Sequence, residues 1–202
     1  MLILASASPR RRELLLNAGI PFGIRVPSVD ERVLPGEDAV DYVRRMAETK
    51  ALAVSVGPDE IALGADTTVC LDGTILGKPG SVGEAKMMLK ILRGKTHDVH
   101  TGICLRFGSR ILLDHATTRV TFNAMTEEEI DEYARSGEPL DKAGAYGIQG
   151  MASRYVAAIE GDYFNVVGLP ISLVYRHILD LGWRPSEMET DDVPTVADRM
   201  QA

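Results

Sequence analysis

Basic residues are in deficit. The 202-residue chain has 22 lysines and arginines against 29 aspartates and glutamates, a formal charge of −7. General affinity for DNA or RNA rests on cations that neutralise phosphates, so this balance excludes a general nucleic-acid binder and requires any anion site to be local. Cysteine is nearly absent. Cys70 and Cys104 have no metal-ligand spacing and sit in strand-like runs, so they read as reduced core residues rather than a disulfide or redox pair. His97, His100 and His115 are scattered, with no cysteine or acid at zinc spacing, and read as strand-surface or hydrogen-bonded residues. No apolar run reaches membrane-spanning length, and the N-terminal apolar run precedes its arginines, the reverse of a secretion signal. The expectation is therefore no membrane partner and a cytoplasmic location. What remains, 45% hydrophobic and 25% charged, is ordinary for one α/β unit with a sizeable core.

Within that unit one strand-like run is anomalous. Ile61 to Leu71 is apolar apart from Asp66 and two threonines, and Asp72-Gly73 is a hairpin signal that turns the chain through Thr74-Ile75-Leu76 toward Gly77-Lys78-Pro79. A buried carboxylate is costly unless paired, hydrogen-bonded or metal-bound. The hairpin would set Lys78 on the neighbouring strand, the nearest candidate partner, and Asp66 is then either half of a structural ion pair or a functional carboxylate.

The start of the chain reads as strand, turn and helix. Ser8 suits the N-cap, Pro9 the first helical position and Gly19 the residue past the end. Arg10, Arg11 and Arg12 put cations where the helix dipole and free N–H groups favour an anion, which points to a bound phosphate over a solvated face. A strand at 22–26 and an acidic loop containing Asp30-Glu31 follow. A helix over about 37–54 carries Lys50 beside its apolar stripe, either snorkelling at the core edge or reaching a cleft. Ser81-Val82-Gly83-Glu84 and Thr126-Glu127-Glu128-Glu129 read as capping boxes, and 96–107 and 110–122 as two long strands. Glu138 to Gly150 packs glycines among polar groups. There Asp141, Lys142 and Gln149 offer an acceptor, a cation and an amide able to read a base edge, as a ligand loop would. A hairpin over 154–167 and a helix ending at Leu181-Gly182 close the apolar part.

Leu4-Ala5-Ser6-Ala7-Ser8-Pro9-Arg10-Arg11, Gly64-Ala65-Asp66-Thr67, Gly77-Lys78-Pro79 and Asp141-Lys142-Ala143-Gly144-Ala145-Tyr146-Gly147-Ile148-Gln149-Gly150, in that order, resemble the signatures of the Maf family of nucleoside triphosphate pyrophosphatases. The resemblance is greatest to the branch acting on dTTP and UTP, because Arg10, Thr67 and Gln149 fall where that branch keeps residues associated with base choice. It implies hydrolysis between the α- and β-phosphates, clearing standard or modified pyrimidine triphosphates with a divalent cation, Mg²⁺ first and Mn²⁺ or Co²⁺ as alternatives. It also implies Asp66 as general base or metal ligand and Glu31 as a metal-associated carboxylate. Ser8, Arg10 and Arg11 would hold phosphates, Lys50 and Lys78 would neutralise growing charge, and a homodimer is expected. The rival reading is a non-catalytic nucleotide-binding regulator of septum formation.

The expected fold is a single α/β domain over 1–183, of the Maf and ITPase-like kind. It has a mixed twisted sheet flanked by helices and a nucleotide cleft where the first turn, the Asp66 strand and the Gln149 loop converge. A polar, mobile tail is expected over 184–202.

Overall fold

The computed structural model describes residues 1–184. The polar tail expected at the C-terminus lies, from residue 185 on, outside the described residues. The expected α/β domain is observed. Its mixed sheet of seven strands runs in the order β2-β1-β3-β5-β6-β7, with β4 attached to β3.

The strands are β1 (Leu2–Leu4), β2 (Phe22–Ile24), β3 (Ile61–Leu71), β4 (Thr74–Leu76), β5 (Thr96–Phe107), β6 (Arg110–Phe122) and β7 (Val156–Glu160). The helices are α1 (Pro9–Asn17), α2 (Ala39–Leu52), α3 (Val82–Leu92), α4 (Glu127–Arg135), α5 (Tyr163–Val167) and α6 (Ile171–Asp180). Short 3₁₀ turns fill the segment between α4 and β7. No helix among the described residues is long and apolar enough to cross a membrane.

The pairing of β3 positions everything else. One edge pairs with β5 from Ala62 to Cys70. The other edge is shared: β1 covers Ile61 to Leu63 in parallel, and β4 covers Val69 to Leu71 antiparallel. Between Leu63 and Val69 that edge has no strand partner among the described residues, an opening of about 20 Å at the usual rise per residue. Asp66 and Thr67 lie in it, on opposite faces of the sheet because strand side chains alternate.

On one face Leu63, Ala65 and Val69 join the main core with Leu89 and Leu92 of α3 and Ile130 and Tyr133 of α4. On the other face α2 packs Ala47 and Ala51 onto Ala62 and Cys104. This contact is backbone against backbone. A Cβ on Gly64 would lie 2.0 Å from the Ala47 carbonyl oxygen, and one on Gly102 2.2 Å from that of Val43. Only glycine lets α2 sit so low.

Local signals were read correctly at most boundaries. The Ser8 hydroxyl accepts from the Arg11 N–H, Pro9 opens α1, and Thr126 with Glu129 forms a complete capping box. The Ser81 box is half made: its hydroxyl accepts from the Glu84 N–H, while the Glu84 carboxylate turns back to the Gly80 N–H. The hairpin expected over 154–167 is a correction. Only its first arm is a strand, and Tyr163–Val167 is the helix α5. Its β-prone residues are overruled because Asp162 caps the turn through the Phe164 N–H and Asn165 bonds the Val99 carbonyl and the Thr118 hydroxyl within the sheet. Cys70 and Cys104 are free thiols, and His97 and His100 are buried against the Tyr146 and Thr117 hydroxyls.

Candidate functional site

The open stretch of β3 borders a cavity of about 590 Å³, walled by the turn 5–11, the loop segment holding Glu31, the C-terminal end of α2, and the loop 138–150. All of the expected site residues line it: Ser8, Arg10, Arg11, Glu31, Lys50, Asp66, Thr67, Lys78, Asp141 and Gln149. They come from six separate stretches of chain, joined only by the fold.

At its floor one ammonium holds two carboxylates. Lys50 Nζ lies 2.6 Å from Asp66 Oδ1 and 2.7 Å from Glu31 Oε1. Lys50 and Asp66 are both buried, whereas Glu31 is exposed on its loop. This corrects the pairing expected for Asp66. The chain leaves the sheet after Leu76, so Lys78 is not on the strand, and its exposed ammonium lies 4.0 Å from Glu31 instead. Lys50 takes the partnership because the glycine seat of α2 brings its last turn onto β3. Burial alone would raise the Glu31 pKa, but the hydrogen bond and charge of Lys50, with Lys78 and Arg11 behind it, hold it below the usual carboxylate value. The Glu31 loop is itself tied to α2: the Tyr42 hydroxyl donates to the Glu31 carbonyl (3.0 Å) and the Arg45 guanidinium to that of Arg32 (2.9 Å).

The three arginines of α1 divide. Arg12 is exposed. Arg11 is buried and donates through Nε to the Gly168 carbonyl at 2.8 Å, and through its terminal nitrogens to Ser6 Oγ at 3.2 Å and Thr67 Oγ1 at 3.1 Å. Burial lowers its pKa, partly offset by Asp66. Three of its five N–H groups are thus committed to protein, and two remain for a ligand. Arg10 reaches across the cavity mouth to Asp141 at 3.0 Å, where Lys142 also pairs at 2.6 Å. Thr67 continues inward to Thr101 (2.9 Å), which donates to the Asn165 carbonyl.

Sequence reasoning gave no role of their own to Ser6, Thr101, Glu138, Tyr146 and Asn165. Asn165 had a signal, a lone amide between apolar residues. Ser6 stood inside the first signature, and Thr101 had no signal, since a small hydroxyl residue in a strand is unremarkable.

Among the described residues no three histidine, cysteine or acidic side chains cluster as a metal cage. The donor set nevertheless fits a hard divalent cation. Glu31 and Asp66 converge on a single cationic nitrogen, and Mg²⁺ usually takes one or two carboxylates plus phosphate oxygens and water.

The family model described as Maf-like protein matches residues 1–181. The chain belongs to the Maf family. Family members with close sequence similarity include the dTTP/UTP pyrophosphatase of Symbiobacterium thermophilum, 49% identical over 90% of this chain and 94% of that one. The dTTP/UTP pyrophosphatase of Koribacter versatilis is 51% identical over 87% and 91%, and that of Bacillus cereus strain AH820 is 51% identical over 88% and 93%. Among solved structures, a HAM1 protein from Coxiella burnetii aligns at a TM-score of 0.42 and 19% identity over 73% of this chain and 87% of that one. That likeness is too loose to bear on the Maf fold or its site.

Proposed function

We infer that the protein is a nucleoside triphosphate pyrophosphatase that cleaves dTTP and UTP to the monophosphate and pyrophosphate. The observation that carries the reading is the buried Lys50–Asp66 pair at an unpaired strand edge, beside a helix N-terminus and a glycine-rich loop in one cavity. Three relatives at about half identity bear the name of that activity.

Each part of the cavity has a physical role. Lys50 holds one oxygen of Asp66, Oδ1, and fixes the carboxylate's orientation, leaving the other oxygen to receive the proton of an attacking water. Water adds to phosphorus, the α–β phosphoanhydride bond breaks, and pyrophosphate leaves. Lys78 and Lys142, with Arg10, face the triphosphate and offset the charge that grows on the leaving group. The first turn of α1, with Ser8 and the remaining N–H groups of Arg11, suits a phosphate. Glu31 and Asp66 would hold the divalent cation, which supplies charge neutralisation and lowers the pKa of bound water. Gln149, Thr67 and Arg10 line the same cavity and would read the pyrimidine base, as the family resemblance implies. The cell interior and removal of modified pyrimidine triphosphates fit this chemistry.

The test is product analysis with Mg²⁺ across purine and pyrimidine triphosphates. Monophosphate plus pyrophosphate, chiefly from dTTP and UTP, and loss of turnover with retained binding in Asp66→Asn, are expected. Binding without cleavage under every divalent cation would replace the enzyme with the regulatory reading.

A further inference from the structure

The loop carrying Gln149 is tied back on itself. From Glu138 the chain runs through three 3₁₀ turns to Tyr155. Its shape depends on one carboxylate that no feature of the sequence singled out. Glu138 Oε1 accepts from the Tyr133 hydroxyl at 2.9 Å, and Oε2 accepts from the Met151 N–H at 3.0 Å. The same Tyr133 oxygen accepts from the Gly147 N–H at 3.1 Å. Two backbone amides flanking Gln149 therefore end, directly or through the buried tyrosine, on the carboxylate of the residue that opens the loop.

The fit is close enough to dictate composition. A Cβ on Gly150 would lie 2.2 Å from Glu138 Oε1. On Gly147 it would lie 2.6 Å from Lys142 Cε, and the Lys142 ammonium donates to the Glu138 carbonyl at 2.7 Å. The glycines in this loop thus make room for the clasp as well as for a ligand. Hydrogen bonding runs one way, from N–H through O–H to carboxylate, so it needs two acceptor oxygens on residue 138. A glutamine there offers one acceptor oxygen, so either the Tyr133 O–H or the Met151 N–H loses the acceptor it has on the carboxylate.

We propose that Glu138 is a positioning residue for base selection, acting through Tyr133 and the Gly147 and Met151 amides to hold the segment 147–151 against the base. This rests on the pyrimidine triphosphate reading of the site, and it deepens that reading by naming what sets the shape of the pocket. Glu138 lines the cavity wall, and its two oxygens are turned onto the protein.

The test compares wild type, Glu138→Gln and the milder Tyr133→Phe. One readout is kcat/KM with Mg²⁺ for UTP against CTP. The other is NMR-detected amide hydrogen exchange at residues 147 and 151, which needs no activity. Losing one such hydrogen bond should lower the UTP-over-CTP ratio about tenfold. Exchange should rise at residue 147 or at residue 151 in Glu138→Gln, according to which side the amide nitrogen faces, and at residue 147 in Tyr133→Phe. An equal fall for both triphosphates, an unchanged ratio, or unchanged exchange overturns the proposal. If wild type cleaves neither triphosphate, the functional reading fails by itself. The clasp is then judged by exchange and by the ratio of UTP to CTP dissociation constants, which must rise in Glu138→Gln for the proposal to stand.

Discussion

Lys50→Met is the substitution that weighs most on the floor of the cavity. Both carboxylates lie within hydrogen-bond reach of one nitrogen, so without the ammonium they confront each other across about 5 Å. Two like charges at that separation, at an effective dielectric of about 20, repel by about 3 kcal/mol. Glu31 is 43% exposed, and screening brings that down to about 1.5 kcal/mol. Loss of the charged hydrogen bond to buried Asp66 adds about 1.5–3 kcal/mol. Lys50→Met should therefore lose about 3–4 kcal/mol at pH 7.5, measured by urea unfolding in a chelator. The pH dependence has a definite sign. In the wild type the depressed Glu31 carboxyl contributes stability that is present above the ordinary value of 4.5 and is lost as pH falls through its folded value. In the variant the repulsion favours proton uptake, so its penalty is greatest near pH 7.5 and is relieved on acidification. The gap between the two proteins should narrow toward pH 4.5, and added Mg²⁺ should stabilise the variant more than the wild type. A loss below about 1 kcal/mol, or a gap that does not change with pH, would refute the reasoning.

Gly64→Ala should prevent α2 from seating, at a cost of about 3 kcal/mol or more; a melting temperature within a degree of wild type would contradict the backbone contact. Arg11→Lys forfeits the planar fork that bonds Gly168, Ser6 and Thr67, and should lower stability by about 2–4 kcal/mol by denaturant titration. Arg10→Ala removes a partly exposed ion pair and should change stability by less than about 1 kcal/mol while raising KM for triphosphates about tenfold. An unchanged KM would place Arg10 outside substrate binding.

The parts legible in the sequence were those with local causes. Ser8 and Pro9 start α1 where a hydroxyl cap and a fixed φ require it, and the Asp72-Gly73 turn forms with both residues at positive φ. Asp66 stood out because a carboxylate in an apolar strand demands a partner. The identity of that partner was not legible. Lys78 is near in sequence, but Lys50 is brought in by glycines at 64 and 102, whose importance shows only when α2 lies across them. Tyr163–Val167 failed for the same reason: its strand-like composition is local, and the anchoring of Asn165 to Val99 and Thr118 is not. Glu138 looked like one more loop acid until the fold returned Met151 to it.

Helix α2 also works as a ruler. Tyr42 and Arg45 fasten the Glu31 loop, and Lys50 on the same helix meets Asp66. The spacing between the two carboxylates is therefore counted in residues along one rigid rod. One residue inserted between Arg45 and Lys50 would turn the end of the rod by about 100° and advance it by about 1.5 Å, separating the pair without touching either acid. The turn at Gly108-Ser109, between β5 and β6, has no such gauge to keep. Natural length variation in this fold should accordingly collect at turns of that kind, while the stretch from Tyr42 to Lys50 keeps a fixed residue count.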